Sequence, residues 1–396
     1  MHAEWIANLE TMTRSRPGHA DLWCALGIAL HAAGRLDEAD HALGKAIELN
    51  RGYAEAVVAR AFVLGELGRP REGYAALRPV FAAAPNDFHR VFALGVFAMR
   101  FGWRDTGVAQ LRRACELLPH APFPQLFLAA AHADLGDGAA AARARRTAVE
   151  RAAELRARTG VTGDASSFAD ASFHRSWPSP STLRAQVRHA EFLLQSRRAA
   201  EAMHELDVAR SRWPGDPMLL VETGRQRHLL DDGDDAAHWF EAAIAVDEGS
   251  HRAWLELSFV NAERGDLANA VDRLRRAVEL RPTFPDYRYQ FGTLLLDVGR
   301  SAEAATQFEQ ALIFSPSHGH GALGLARAYA QLGRDEDALE VLGRGAWRDW
   351  PESLVLAAEL LARSSRVVEA RGELEKALRI APSFAAAREA LAGLPA

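Results

Sequence analysis

Prolines recur in this chain at a fixed interval, and that interval constrains the fold more than any other feature. Pro17, Pro85 and Pro119 stand on marks 34 residues apart, with Arg51 at the intervening mark. Pro214, Pro282 and Pro316 define a second grid of the same spacing, with Glu248 at its missing mark. The prolines follow runs such as Ala277-Val278-Glu279-Leu280-Arg281, where a residue without an N–H ends a helix. A period of this length is the sign of stacked supersecondary units, none of which buries its apolar face alone. The chain has 396 residues, more than one hydrophobic core usually serves, which agrees with an array.

Units laid on the two grids begin at Ala20, Ala54, Phe88, Pro122, Leu183, Pro217, His251, Pro285, Gly319 and Pro351. The unit at Ala20 places Trp23, Leu26, Gly27 and Leu30 on a first helix, breaks at Gly34, and places Ala39, Leu43 and Ala46 on a second. The unit at Pro285 repeats this with Phe291, Gly292, Leu295, Gly299, Ala304, Phe308, Ala311 and Pro316. Apolar residues three and four apart make a stripe on each helix. Glycines such as Gly27 and Gly292 allow close approach, and Gly34 or Gly299 suits the left-handed position ending a helix.

These residues carry a resemblance to the tetratricopeptide-repeat family, ten units in register. The resemblance implies an all-α fold, a right-handed superhelical solenoid of about ten helix-turn-helix repeats in two arrays with terminal capping helices. Residues 1–158 are expected to form a capping helix and four repeats, with Trp5, Leu9 and Met12 on the packing marks of the cap. Residues 183–396 are expected to form six repeats and a closing helix over 385–394. Between them, residues 159–182 read as a joint rich in Gly, Ser and Thr and closed by Pro178 and Pro180. Phe168, Phe173 and Trp177 in that joint point to packing on the solenoid or on a partner. The tenth unit begins two residues early, beside Trp347 and Trp350, which implies a local change of pitch that the two tryptophans fill.

Charge and composition exclude several function classes. A formal charge of −5 gives no electrostatic footprint for nucleic acid. Two cysteines, Cys24 and Cys115, build neither a disulfide framework nor a zinc site. No apolar run is long enough to cross a bilayer, and no leader pattern opens the chain, so a cytoplasmic protein without membrane insertion is expected.

Motifs that suggest chemistry read better as structure. Gly319-His320-Gly321-Ala322-Leu323-Gly324 matches a dinucleotide fingerprint but opens a helix with no strand before it. Asp231-Asp232-Gly233-Asp234-Asp235 lacks calcium-loop spacing and reads as a turn with Asp234 or Asp235 as N-cap. His318 and His320, His228 and His238, and Glu201 with His204 lack further metal ligands. Asp170, His174 and Arg175 in the joint are the only grouping left for an active site, and no pocket accompanies them. No catalytic residue, metal or cofactor is therefore expected, and the chain is read as a non-enzyme.

The resemblance implies that the first helices line a concave face that binds other proteins. In the first array this face carries Cys24, Ile28, Val58, Phe62, Phe92, Val96, Met99, Leu126 and Phe127, an apolar groove suited to an amphipathic helix or extended peptide. Packing between neighbouring first helices is the alternative use of the same residues. In the second array the corresponding residues are Arg184, Arg188, Glu191, Arg225, Arg252, Glu256, Tyr289 and Arg327, where arginines can hold carboxylates bidentately. A scaffold or adaptor is the expected role. Self-association into an oligomeric platform, or service as a regulatory subunit of an enzyme complex, is the alternative.

Overall fold

The computed structural model describes residues 3–159, 180–213, 215–230 and 232–395. Among them are 22 α-helices and no strand. Contacts divide the chain into two compact units, Met1–Ser250 and His251–Ala396. The joint expected over 159–182, with Phe168, Asp170, Phe173, His174, Arg175 and Trp177, falls almost wholly outside the described residues.

Unit 1 opens with α1 (Ala3–Ser15). Four hairpins follow: α2 and α3 (Ala20–Ala32, Leu36–Leu49), α4 and α5 (Ala54–Glu66, Pro70–Ala83), α6 and α7 (Phe88–Phe101, Arg104–Leu117), and α8 and α9 (Pro122–Asp134, Gly138–Thr159). Two more complete it: α10 and α11 (Pro180–Gln195, Ala199–Arg212), then α12 and α13 (Pro217–Leu229, Gly233–Val246). Unit 2 stacks α14 and α15 (His251–Glu263, Leu267–Leu280), α16 and α17 (Pro285–Asp297, Ser301–Phe314), α18 and α19 (Gly319–Gln331, Asp335–Leu342), and α20 and α21 (Pro351–Arg363, Val367–Ile380). It closes with α22 (Ala385–Gly393).

The breaks follow the glycine rule. Gly34, Gly68, Gly102, Gly136, Gly265, Gly299 and Gly333 all have φ between 73° and 99°, the left-handed conformation that L side chains resist. Arg197 (φ 59°) and Ser365 (φ 61°) take that position in two hairpins without a glycine. Eight of the ten second helices start in one of two ways. Asp137, Asp232 and Asp266 cap it with a side-chain oxygen that accepts from the N–H three residues on. Arg35, Arg69, Arg198, Arg300 and Arg366 instead form bidentate pairs with the glutamate three residues on. In the acidic run it is thus Asp232 that caps, not Asp234 or Asp235. The exposed arginine pairs are screened by solvent, so burial and not charge holds the stack.

Burial is uneven between the two helices of a hairpin. Every residue of α6 from Val91 to Met99 is buried, whereas α7 buries only Gly107, Leu111, Ala114 and Cys115. First helices are covered on both sides by neighbouring hairpins; second helices keep one face in water. Close approach meets from two sides at Phe308, whose ring lies between two glycines. A Cβ on Gly292 would stand 2.7 Å from it, and one on Gly324 2.5 Å. Gly324, in the fingerprint-like run of α18, therefore serves packing against Phe308.

Unit 1 departs from an open stack. α10 packs on α2 and α4, and α13 packs on α9, so its fifth and sixth hairpins return to the first four. α1 is held from two sides: Glu10 lies 3.5 Å from Arg35, and Glu4 accepts from Arg198 at 3.0 Å. Trp5 stacks near His189 of α10 at 5.6 Å, and the buried residues of α1 are Trp5, Ile6, Leu9 and Thr13. Met12, expected on a packing mark, is instead 37% exposed because the stripe runs through Thr13.

In unit 2 the expected irregularity at the tenth repeat has a simple cause. α19 has 8 residues where other second helices have 14, and a 3-10 turn over Ala346–Asp349 replaces its end. Trp347 is buried there and donates from Nε1 to the Val341 carbonyl at 2.9 Å, so it fills the gap as expected. Trp350 instead lies on the wall of the groove described next.

Candidate interaction groove

The first helices of unit 2 border a cavity of about 1370 Å³. Its apolar wall is Leu296 from α16, Leu323 from α18, Leu356 from α20 and Leu394 after α22, with Trp350 at one side. Its polar groups are Tyr289, Thr293 and Asp297 on α16, His320, Arg327 and Gln331 on α18, and Glu352, Glu359 and Arg363 on α20. They share one surface because repeat geometry puts equivalent turns of successive first helices side by side. Arg363 pairs with Asp335 at 3.1 Å. Among the described residues Arg327, Asp297 and Glu359, all exposed, have no hydrogen-bond or ion-pair partner.

Two expected second-groove residues, Tyr289 and Arg327, thus line this cavity. Arg252 and Glu256 lie on α14, away from that lining. Arg184, Arg188, Glu191 and Arg225 belong to unit 1 and are engaged within it. Arg184 and Arg188 both reach Glu55, at 3.3 and 3.1 Å, and Arg225 reaches Glu191 at 3.3 Å and Glu222 at 3.0 Å. The three arginines among these positions, expected to hold a partner's carboxylates, are paired with the chain's own.

The first-groove residues are interior. Cys24, Ile28, Phe62, Phe92, Val96, Met99, Leu126 and Phe127 are all buried, and only Val58 is half-exposed. What covers them is the same chain. Ala185 of α10 joins the core formed by Cys24, Ala25 and Ile28. Trp213 stacks on Phe127 at 5.1 Å and meets Phe92 edge-on at 6.1 Å. Phe62 packs edge-on to Phe97 at 5.3 Å. Burial pushes the Cys24 thiol up to about 12, above its ordinary value.

A smaller chamber of about 310 Å³ remains in unit 1, lined by Val58, Phe92, Leu183, Arg184, Trp213 and Asp216. Asp216 is buried and caps α12 through one oxygen, Oδ1, which accepts from Met218 N at 3.0 Å and Leu219 N at 3.2 Å. Burial outweighs those two bonds and raises its carboxyl to about 6.

Of the histidine motifs, His318 has a structural role. His318 accepts from Gly321 N at 2.8 Å as the cap of α18, and its other nitrogen lies 3.0 Å from Asp286. Among the described residues no group of three or more His, Cys, Asp or Glu is placed to hold a metal. Among them, too, no helix is long and apolar enough to cross a membrane.

Paired helices mostly of 13 or 14 residues, with left-handed breaks at one repeat position, define a helical-repeat protein of the class that serves as interaction scaffolds. The family profile for the tetratricopeptide repeat matches residues 20–53, 230–285 and 289–353. The chain is a tetratricopeptide-repeat protein. Among curated proteins it is 29% identical over 147 residues to protein FlbA of Caulobacter vibrioides, which covers 36% of this chain and 24% of FlbA. The chain thus matches only about a quarter of that relative's length. Among solved structures it is similar to PilW, a type IV pilus biogenesis factor, at 14% identity, 53% of this chain, 98% of that one and TM-score 0.46. It is also similar to the Cut9–Hcn1 assembly of the APC/C, at 12% identity, 98% and 92% coverage and TM-score 0.45. YrrB, described as having an unusual peptide-binding site, is 16% identical over 47% of this chain and 96% of its own, with TM-score 0.41.

Two features of the groove escaped the sequence. Asp297 and Arg363 stand one turn beyond the marks used to find groove residues, so extending each mark by a turn would have found them. The contribution of Leu394 comes from a closing segment outside the repeat pattern, and no periodic signal marks it.

Proposed function

We propose that this protein is an interaction scaffold whose second unit holds a segment of a partner protein in the groove between α16, α18, α20 and α22. A single contrast carries the reading. The concave residues of the first four hairpins are buried under α10 and Trp213, whereas the groove of unit 2 is open and bears unpaired charges over an apolar wall. Apolar anchors with a few convergent polar groups are what peptide recognition requires. Tyr289 and Arg327 are the residues of the original expectation that this reading retains.

The test uses the full chain as bait in extracts of its native host. A protein captured by the wild type should be lost on Arg327→Glu with Leu356→Glu. It should be kept by Val368→Glu, a control at a position 85% exposed on α21. All three should keep the same helical circular dichroism, although Leu356 packs partly on the core and its replacement lowers the melting temperature of the groove variant. A captured protein retained by the groove variant would contradict the assignment.

A further inference from the structure

The charges left unpaired in the groove have an order. Resting on the reading just given, we infer that the segment it holds presents an acidic side chain to Arg327 and a basic side chain on each side, facing Asp297 and Glu359. These three groups come from successive first helices: Asp297 from α16, Arg327 from α18 and Glu359 from α20. All three line the same cavity, and Glu352 in the first turn of α20 adds a second exposed carboxylate on that side. Their sequence across it is therefore negative, positive, negative, and none is neutralised by another described residue. A cationic guanidinium beside apolar Leu323 and Leu356 favours a carboxylate, with which it can form two parallel hydrogen bonds. The outer carboxylates disfavour further acids, since like charges facing each other in a partly desolvated site weaken binding. A uniformly acidic tail and a uniformly basic one are thus both poor occupants.

Neighbouring packed helices stand about 8–10 Å apart. An extended chain advances about 3.3 Å per residue, so the alternating charges should lie about three residues apart. The apolar wall of Leu296, Leu323 and Leu356 takes the intervening apolar side chains. Arg363, already paired with Asp335, adds little preference at the far end.

The probe is a library of random dodecapeptides displayed on phage, selected against the full chain. The expected result is enrichment of peptides with one Asp or Glu flanked on both sides by Lys or Arg, with apolar residues between. Arg327→Glu should weaken a selected peptide about tenfold or more, and replacing the peptide's acid by Lys should restore part of that loss. Leu356→Glu should abolish capture while the helical circular dichroism is kept, and Arg327→Glu, at an exposed position, separates lost binding from lost packing. Peptides that are lost on Leu356→Glu but carry no central acid would overturn the charge order while leaving the groove as the binding site. Peptides indifferent to both variants would overturn the groove as well.

Discussion

Trp213 stacks on Phe127 with ring centroids 5.1 Å apart and planes 22° from parallel, joining the segment before α12 to the first helix of the fourth hairpin. The indole is 1% exposed, and it is the largest fully buried side chain in the described chain. Its position turns an apolar concave surface into a core. Surfaces carrying Phe92, Phe127 and Leu126 have a strong drive to leave water, at about 25 cal/mol per Å². The chain supplies its own cover, close in space and free of the entropy cost of capturing a second molecule.

Removing that cover should be severe. Trp213→Ala is expected to cost unit 1 about 3–5 kcal/mol, the usual range for deleting a buried aromatic side chain. Denaturant unfolding followed by far-ultraviolet circular dichroism should resolve an early transition for unit 1, with unit 2 unchanged. A single unshifted transition would show that Trp213 does not hold the fifth and sixth hairpins to the first four.

The contact of Phe308 with two glycines predicts a specific suppressor. Gly324→Ala places a methyl group against the ring and should destabilise unit 2 by about 1–3 kcal/mol, as overpacking does. Phe308→Leu, introduced second, should recover part of that loss because the smaller side chain makes room. Melting temperatures of the two single variants and the double variant give the coupling directly; strictly additive effects would contradict the packing account.

Repeat length and helix limits were legible in the sequence because they rest on local signals. Ala20, Ala54, Phe88 and Pro122 begin helices as the proline grid predicts, and Gly34 and Gly299 have the left-handed φ their positions required. α10 begins at Pro180, three residues ahead of the expected Leu183, since proline fits the first turn of a helix. The filling of the first groove was not legible. Phe62 and Phe92 have the same character whether they face a partner or Trp213, and periodicity reports that a face is apolar without saying what covers it. A similar limit applied to Arg188: nothing near it in sequence indicates that Glu55 satisfies its charge.

Asp216 should make stability depend on pH in an unusual direction. Its folded-state carboxyl is raised from 3.8 to about 6, so the folded chain holds this proton more tightly than the unfolded chain. Its contribution to stability therefore falls as pH rises from about 4 to 6, by about 2–3 kcal/mol. Asp216→Asn keeps an oxygen to accept from Met218 N and Leu219 N and carries no charge. Relative to the wild type it should gain stability as pH rises across that window and remain level above it. Chemical denaturation of both proteins at pH 4, 5, 6 and 7 measures the difference; a flat difference would contradict it.

Ser365 occupies a left-handed position that glycine fills in other hairpins. Ser365→Gly should stabilise unit 2 by about 0.5–1 kcal/mol, the relief of side-chain strain less the added freedom of the unfolded chain. Thermal unfolding at one pH and salt concentration is sufficient to see it, and a lower melting temperature would count against strain at this site.

The central claim is that the groove of unit 2 receives a partner and the concave face of the first four hairpins does not. Hydrogen exchange of the full chain, with and without a groove-selected dodecapeptide, tests it most directly. The account predicts slower exchange in α16, α18 and α20 on binding, with α2, α4 and α6 unchanged. Slower exchange in α2, α4 and α6, with none in α18, would contradict it.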